Sequence, residues 1–241
     1  MHDLSLVIPL YNEEQCLKKN FETIKVYLDT LAMDYEIILV NDGSNDSTMS
    51  IIGEIVQRNS CVRSLNNLKN RGKGHAVRSG VLSAAGEYVV FADADLAVPP
   101  HFIGACLKRL EAGTPMVIGS RHLPGSSFKV REGALRQFLG EVFRRFAQFS
   151  LGLRVSDITC GLKGFQKKAA FDIFSRSKID RWGYDVEIIF LAQKLGYVIE
   201  EIPVDWYHSF DSKVRPGIDS LRTLMEMCRV HYYYLSKQYK C

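Results

Sequence analysis

Five short apolar runs alternate with longer segments of helical period between residues 4 and 120, and few architectures accommodate that order. The runs cover 4–10, 36–41, 62–65, 88–92 and 116–119; the helical segments cover 14–31, 47–57, 73–84 and 101–110. Runs of this length suit strands covered on both faces, and an intervening helix carries the chain back to start the next strand in parallel. The pattern predicts an α/β fold, a mixed and mostly parallel sheet flanked by helices. In the first helical segment Leu17, Phe21, Ile24, Leu28 and Leu31 recur at spacings of three and four, which reads as a core stripe without chemistry.

Past residue 120 the pattern changes. A Gly and Ser loop at 125–127 leads to a long basic helix over 132–151, followed by shorter elements, helices over 184–195 and 218–235, and a strand-like stretch at 197–202. No linker, repeat or low-complexity stretch intervenes. Residues 1–241 therefore read as one domain, with 1–120 and 121–241 as its two halves.

Composition narrows the partners only a little. The 241 residues are 46% hydrophobic and 24% charged, enough to bury a full core. The formal charge of +4, from 31 Lys and Arg against 27 Asp and Glu, is a weak bias toward anionic ligands and requires no nucleic acid. Six scattered cysteines without a Cys-x-x-Cys pair write neither a zinc knuckle nor a redox pair, so a reduced, cytoplasmic location is expected. The first strand-like run leaves no room for a signal segment, and no apolar stretch reaches the roughly 18 to 20 residues that cross a bilayer. Any membrane contact is expected to be peripheral.

In open parallel sheets, ligands bind beyond the carboxyl ends of the strands. Three polar clusters stand at such ends: Pro9 to Glu14, Asn41 to Thr48, and Asp93-Ala94-Asp95. Asp46 and Thr48 read as turn and helix-cap residues. Asp42 at a strand end suits the base or ribose of a nucleotide, and Tyr11 reads equally as packing or as a stacking face for a base. Asp93 and Asp95 would repel each other without a cation between them, and magnesium or manganese is commonly held by one or two carboxylates plus phosphate oxygens. The glycines and cations of Asn70-Arg71-Gly72-Lys73-Gly74 precede a helix and suit phosphate, with Arg71 or Lys73 as the contact; His75 reads as an ordinary surface or cap residue.

At these residues the chain resembles the family 2 glycosyltransferases of the GT-A fold, and within them the enzymes that glycosylate polyprenyl phosphates. Pro9-x-Tyr11-Asn12-Glu13, Asp42-Gly43-Ser44-x-Asp46-x-Thr48, Asn70-x-Gly72-Lys73-Gly74, Asp93-Ala94-Asp95 and Gly119-Ser120-Arg121 stand in the family's order. The segments Asp157 to Phe165, Arg181 to Glu187 and Ser212-Lys213 match the members that place glucose on dolichyl phosphate. The resemblance implies that Pro9, Tyr11, Glu13, Asp42, Lys73, Asp93, Ala94 and Asp95 bind the nucleotide sugar, UDP-glucose first among candidates. It implies that Asp93 and Asp95 hold Mg2+ or Mn2+, and that Arg121, Arg136 and Lys213 hold the acceptor phosphate. Asp93, Asp95 and Arg121 would then be the catalytic set. The mannose synthases of this family carry Gln and Ser where this chain has Ala97 and Gly140, a departure from their pattern.

A lipid phosphate is already anionic at neutral pH, so its attack on the anomeric carbon requires positioning and charge stabilisation more than a general base. Inversion is expected. Asp185 and Glu187 read equally as sugar contacts or as acids at a helix N-terminus. In the 132–151 helix, Leu135, Phe138, Leu139, Val142, Phe143 and Phe146 share a face, with Arg136, Arg144 and Arg145 around it. With Tyr232 to Tyr234 and Lys237, that face suits peripheral contact with the cytoplasmic side of a membrane, core packing being the alternative. Competing functions are transfer to a glycan or other small acceptor, GDP-mannose-dependent transfer to a polyprenyl phosphate, and a non-catalytic nucleotide-sugar-binding regulator.

Overall fold

The computed structural model describes residues 2–127, 134–207 and 218–239, and the side chains at 134–141, 143 and 218–221 lie outside that description. In chain order the elements are β1 (Leu4–Leu10), α1 (Leu17–Leu28), β2 (Tyr35–Asn41), α2 (Thr48–Arg58), β3 (Val62–Asn66), α3 (Lys73–Ser83), β4 (Tyr88–Phe91), α4 (His101–Glu111) and β5 (Met116–Ser120). There follow α5 (Ala134–Leu151), β6 (Lys163–Gln166), α6 (Lys167–Phe174), α7 (Tyr184–Lys194), β7 (Ile199–Pro203) and α8 (Ile218–Leu235). The seven strands form one sheet in the order β3-β2-β1-β4-β6-β5-β7. All neighbours are parallel except β6, which runs antiparallel to both β4 and β5.

The sheet is the middle of three layers. One face carries α1, α2 and α4, whose Leu17, Phe21, Ile24, Ile52, Ile103 and Leu107 form a core with Leu6, Ile8 and Leu39. The other carries α3, α6 and α7, with Val77, Ile173, Phe174, Ile188 and Leu191 against Val7, Val40 and Phe91. Each such side chain contributes about 2 kcal/mol on removal from water. The charged Glu36 is buried within β2, where it accepts from Ser5 Oγ at 2.6 Å, Ala85 N at 2.8 Å and Arg63 Nε at 2.7 Å. Burial alone would raise its pKa, but these donors bring it below the usual range.

Strand β6 has no counterpart in the sequence reading. Its Lys-Gly-Phe-Gln is four residues with neither an apolar run nor alternation, and its place is set by neighbours. Gly164 lies so close to Cys106 on α4 that any Cβ would collide with the sulfur. Helix α1 begins at Leu17, three residues later than expected, because 12–14 cross to the β2–α2 loop.

Candidate active site

Register decides which polar residues meet. Leu10 lies opposite Asn41 and Val7 opposite Phe91, so the residues that follow β1, β2 and β4 emerge along one edge. β6 begins at that edge, with Lys163 opposite both Phe91 and Ile118, and β5 and β7 end there. Three sequence clusters and the loops of the second half thereby share one cleft.

Two loops on the β1–β2 side are laced together. Asn12 N donates to Ser44 Oγ at 3.0 Å, Asn45 N to Asn12 Oδ1 at 2.8 Å, Glu13 N to Thr48 Oγ1 at 2.8 Å, and Ser47 N to Glu14 Oε2 at 2.9 Å. Asn12 sits in the left-handed region at φ 54°, a conformation asparagine adopts more readily than most residues. Asp46 and Thr48, read from sequence as turn and helix-cap residues, also brace the two loops: Asp46 accepts from Glu14 N and Thr48 N, and Thr48 from Glu13 N. Pro9, Tyr11 and Glu13 stay part-exposed at the mouth.

Asp42 has an internal role as well. Its buried carboxylate accepts from Asn67 Nδ2 at 2.9 Å, Arg71 N at 3.0 Å and Gly72 N at 2.7 Å, so it organises the loop ahead of α3. His75 also departs from its surface reading, because it is buried beside that brace. Asn67 Nδ2 stands 3.2 Å from His75 Nδ1, and with Asn67 donating the ring proton falls on Nε2. Burial and then Arg71 hold its pKa below the ordinary value.

The centre of the cleft is an alternation of charges. Lys73 Nζ lies 2.6 and 2.8 Å from the two oxygens of Asp93, and its pKa is raised because Asp93, Asp185 and Asp95 outweigh burial. The cation that relieves the carboxylate pair thus includes Lys73, which the sequence reading gave to phosphate. Asp93 Oδ1 lacks an aligned hydrogen bond despite that ion contact, and the Tyr184 hydroxyl nearby is buried without one. Gly161 leaves the space Asp93 occupies, since a Cβ there would collide with Oδ2. Asp95 accepts from Ala97 N at 3.0 Å, and burial and then Asp93 raise its pKa. Leu96 beside it is left-handed at φ 54°, an unfavourable setting for a non-glycine residue that holds the turn tight. Ala94 contributes backbone: its carbonyl accepts from Asn20 Nδ2 at 2.8 Å.

Asp93 and Asp95 fit a divalent cation completed by phosphate oxygens. Two neighbouring carboxylates, of which Asp95 is largely desolvated and has its pKa raised by burial and by Asp93, gain from a further positive charge. Among the described residues no cluster of three or more His, Cys, Asp or Glu side chains forms a self-sufficient metal cage.

At the β5 end, Arg121 is clamped by Asp157. Nε donates to Oδ2 at 2.7 Å and Nη2 to Oδ1 at 2.9 Å, a two-pronged pairing, and Nη2 also reaches Thr159 Oγ1 at 2.8 Å. Burial would raise the Asp157 pKa, but Arg121 brings it down to about 2. Glu201 braces the pair by accepting from Ser156 N at 2.8 Å and Asp157 N at 3.1 Å. The guanidinium also lies 5.7 Å from the Trp206 ring, and Tyr207 N donates to Ala97 O at 2.8 Å, which ties this side to the Asp95 turn. The Arg136 side chain and the whole of Lys213 lie outside the described residues.

Sequence reasoning missed several partners. Lys163 is wholly buried, donating to Asp185 Oδ1 at 2.5 Å and Cys160 O at 2.7 Å; a lysine in a weak strand pattern gives no sign of burial. For Asp185 and Glu187 the structure gives internal roles: Asp185 pairs with Lys163, and Glu187 accepts from Lys178 N, Ile179 N and Tyr239 Oη. On α5, Ala147 and Leu151 face the core, while Val142, Phe146 and Phe149 are exposed, the last at 91%. Arg144 reaches Ser156 O at 3.2 Å and Arg145 is exposed. Tyr232 and Tyr234 on α8 are exposed, whereas Tyr233 is half-buried against Tyr239. No helix among the described residues is long and apolar enough to cross a membrane.

Comparison with known proteins gives a consistent picture. The family model described as "Glycosyl transferase family 2" matches residues 5–174. Curated relatives named dolichyl-phosphate beta-glucosyltransferase include those of Dictyostelium discoideum, 34% identical over 96% of this chain and 75% of the relative, and Homo sapiens, 33% identical over 97% and 76%. The Saccharomyces cerevisiae protein of that name is 32% identical over 98% and 76%. Among solved structures, glucosyl-3-phosphoglycerate synthase from Mycobacterium tuberculosis, in complex with Mn2+ and UDP-glucose, superposes with a TM-score of 0.66 at 20% identity, covering 99% of this chain and 79% of that one. At that identity the likeness concerns the GT-A fold.

Proposed function

The chain belongs to glycosyl transferase family 2, and we propose that it moves glucose from UDP-glucose onto the phosphate of a dolichyl or other polyprenyl lipid, with inversion at the anomeric carbon. The observation that carries this reading is the shared edge at which Asp93, Asp95 and Lys73 stand with the clamped Arg121. The names of the relatives support the acceptor, and the manganese and UDP-glucose bound by the solved neighbour support the donor.

In this reading Pro9, Tyr11 and Glu13, with the loop held by Asp42, receive the nucleoside. The Asp93 and Asp95 carboxylates hold Mg2+ or Mn2+, which stabilises the charge of the departing diphosphate when bound. Lys73 orients Asp93 and adds positive charge on the same side, where negative charge grows as the glycosidic bond breaks. Arg121, kept rigid by Asp157, holds the acceptor phosphate with Arg136 and Lys213. The acceptor oxygen needs no base, being ionised already. Transfer to a neutral glycan hydroxyl would need one, and Glu187, bonded to two backbone amides and Tyr239, is not placed to serve.

Phe146, Phe149 and Arg145 on α5 and the exposed rings of α8 support peripheral contact with the cytoplasmic leaflet, where the lipid phosphate would be met. The test offers purified protein several nucleotide sugars and a short polyprenyl phosphate and reads product by mass spectrometry. Hexosyl phospholipid from UDP-glucose, lost on chelation of divalent ions, is the expected result. Tight donor binding with no transfer from any sugar would overturn the reading.

A further inference from the structure

The loop at 177–183 touches the amino end of α3 on one side and two buried carboxylates on the other. On the α3 side, His75 N donates to Asp180 O at 2.9 Å. Gly72, left-handed at φ 114°, lies so close to Asp180 O and Arg181 that a Cβ would collide with both. Arg78 bonds both the Asp180 carboxylate and Ser177 O. The Trp182 ring lies 5.9 Å from Lys73 Nζ. The first residue of α3 is Lys73 itself, so where this loop sits decides where the ammonium meets Asp93.

The loop is held from behind by its amides. Lys178 N donates to Glu187 Oε1 at 2.8 Å and Ile179 N to Glu187 Oε2 at 2.9 Å, while Gly183 N donates to Glu226 Oε2 of α8 at 2.8 Å. Glu187 Oε1 also accepts from Tyr239 Oη at 2.6 Å. Tyr239 follows α8, is 1% exposed, and packs edge-on against Tyr233 with ring centroids 5.8 Å apart. An exposed turn after a helix would not ordinarily bury a tyrosine on a carboxylate of another helix. The hydroxyl gives that carboxylate a third donor and fixes its rotamer.

We infer that Tyr239 and Glu187 are positioning residues for the centre of the cleft: together they set the 177–183 loop, which sets α3 and so the approach of Lys73 to Asp93. The inference rests on the proposed function for its catalytic consequence, but its structural part stands on contacts alone. Loss of the hydroxyl loosens the Glu187 carboxylate, and the effect reaches the reacting centre without any substrate touching Tyr239.

Tyr239→Phe, which removes one oxygen and keeps the ring, is the test. Amide exchange read by mass spectrometry on protein without substrate is expected to speed up about tenfold at 178–183 and at 72–76, the scale set by losing one hydrogen bond to a charged acceptor. In the transfer assay with UDP-glucose and a short dolichyl phosphate, kcat is expected to fall about tenfold, the same free energy, with the donor KM within about twofold. If Tyr239→Phe fails to fold, Glu187→Gln with Tyr239 in place is read in the same way. Faster exchange at 178–183 with 72–76 still protected would overturn the coupling, and so would an unchanged kcat. If wild-type protein transfers no sugar, the proposed function fails, while the exchange data still decide the coupling.

Discussion

Asp95 is a carboxylate whose setting favours the neutral form, with burial and Asp93 both raising its pKa. Its ionised form is therefore a cost to the folded state at neutral pH, the usual signature of a group kept for chemistry. Asp95→Asn is expected to lower transfer by at least about a hundredfold while raising the thermal midpoint by ~2 °C. Calorimetry and kinetics on the same preparation check both halves; full activity would remove Asp95 from the catalytic set, and a lower midpoint would show that its carboxylate stabilises the fold. At Gly161 the constraint is space. Gly161→Ala must displace Asp93 from Lys73, and a drop in kcat of about tenfold or more is expected, because a shift near 1 Å in a reacting centre has that scale. A crystal structure of that variant with the Asp93 carboxylate unmoved would contradict it. Asp93 and Asp95 were legible in the sequence because they stand just past an apolar strand, and Arg121 through the family resemblance. Lys163, Asp157 and Glu201 were not, because the roles of these residues come from what lies across the cleft.

At the scale of elements, α5 and α8 both combine one buried side with an exposed apolar one. Ala147, Leu151, Met227 and Val230 face inward, and Phe146, Phe149, Met225, Tyr232 and Leu235 face outward. In the proposed membrane contact, an outward phenylalanine at 91% exposure would gain from a lipid headgroup layer the burial that this fold does not give it. Phe146→Ser together with Phe149→Ser is expected to cut flotation with vesicles containing anionic lipid by at least about tenfold, since each buried ring contributes on the order of 2 kcal/mol. Unchanged flotation would remove α5 from the membrane surface. Apart from α6, which the sequence reading left among unspecified shorter elements, helix periods, core stripes and most boundaries came from sequence to within a few residues. β6 did not, because four residues with a lysine and a glycine carry no period, and two neighbouring strands set its place instead.

The whole molecule depends on buried charges that are paired across long sequence separations. Asp157 with Arg121 is the clearest case for a pH prediction. Its folded pKa of about 2 lies below the ordinary 3.8, so the ionised form stabilises the fold. That contribution is fully present above about pH 4 and is lost as pH falls through about 2. Nearly two pKa units correspond to about 2 kcal/mol. Asp157→Asn should flatten the acid limb of a denaturation series below pH 4, and an acid limb identical to wild type would show the pair to be weak.

The sequence by itself determined the α/β class, the single polar edge, the family resemblance and the identity of the carboxylate pair, because these depend on local period and on which residues end each strand. Only the tertiary structure decided that Lys73 neutralises Asp93, that Asp42 braces a loop, that Arg121 is clamped by Asp157, and that Glu187 holds the 177–183 loop. The first three of these join residues 20 to 36 positions apart, and the fourth joins a helix to a loop 8 positions before it; in each the energy of a charge depends on the partner and the burial that the fold supplies.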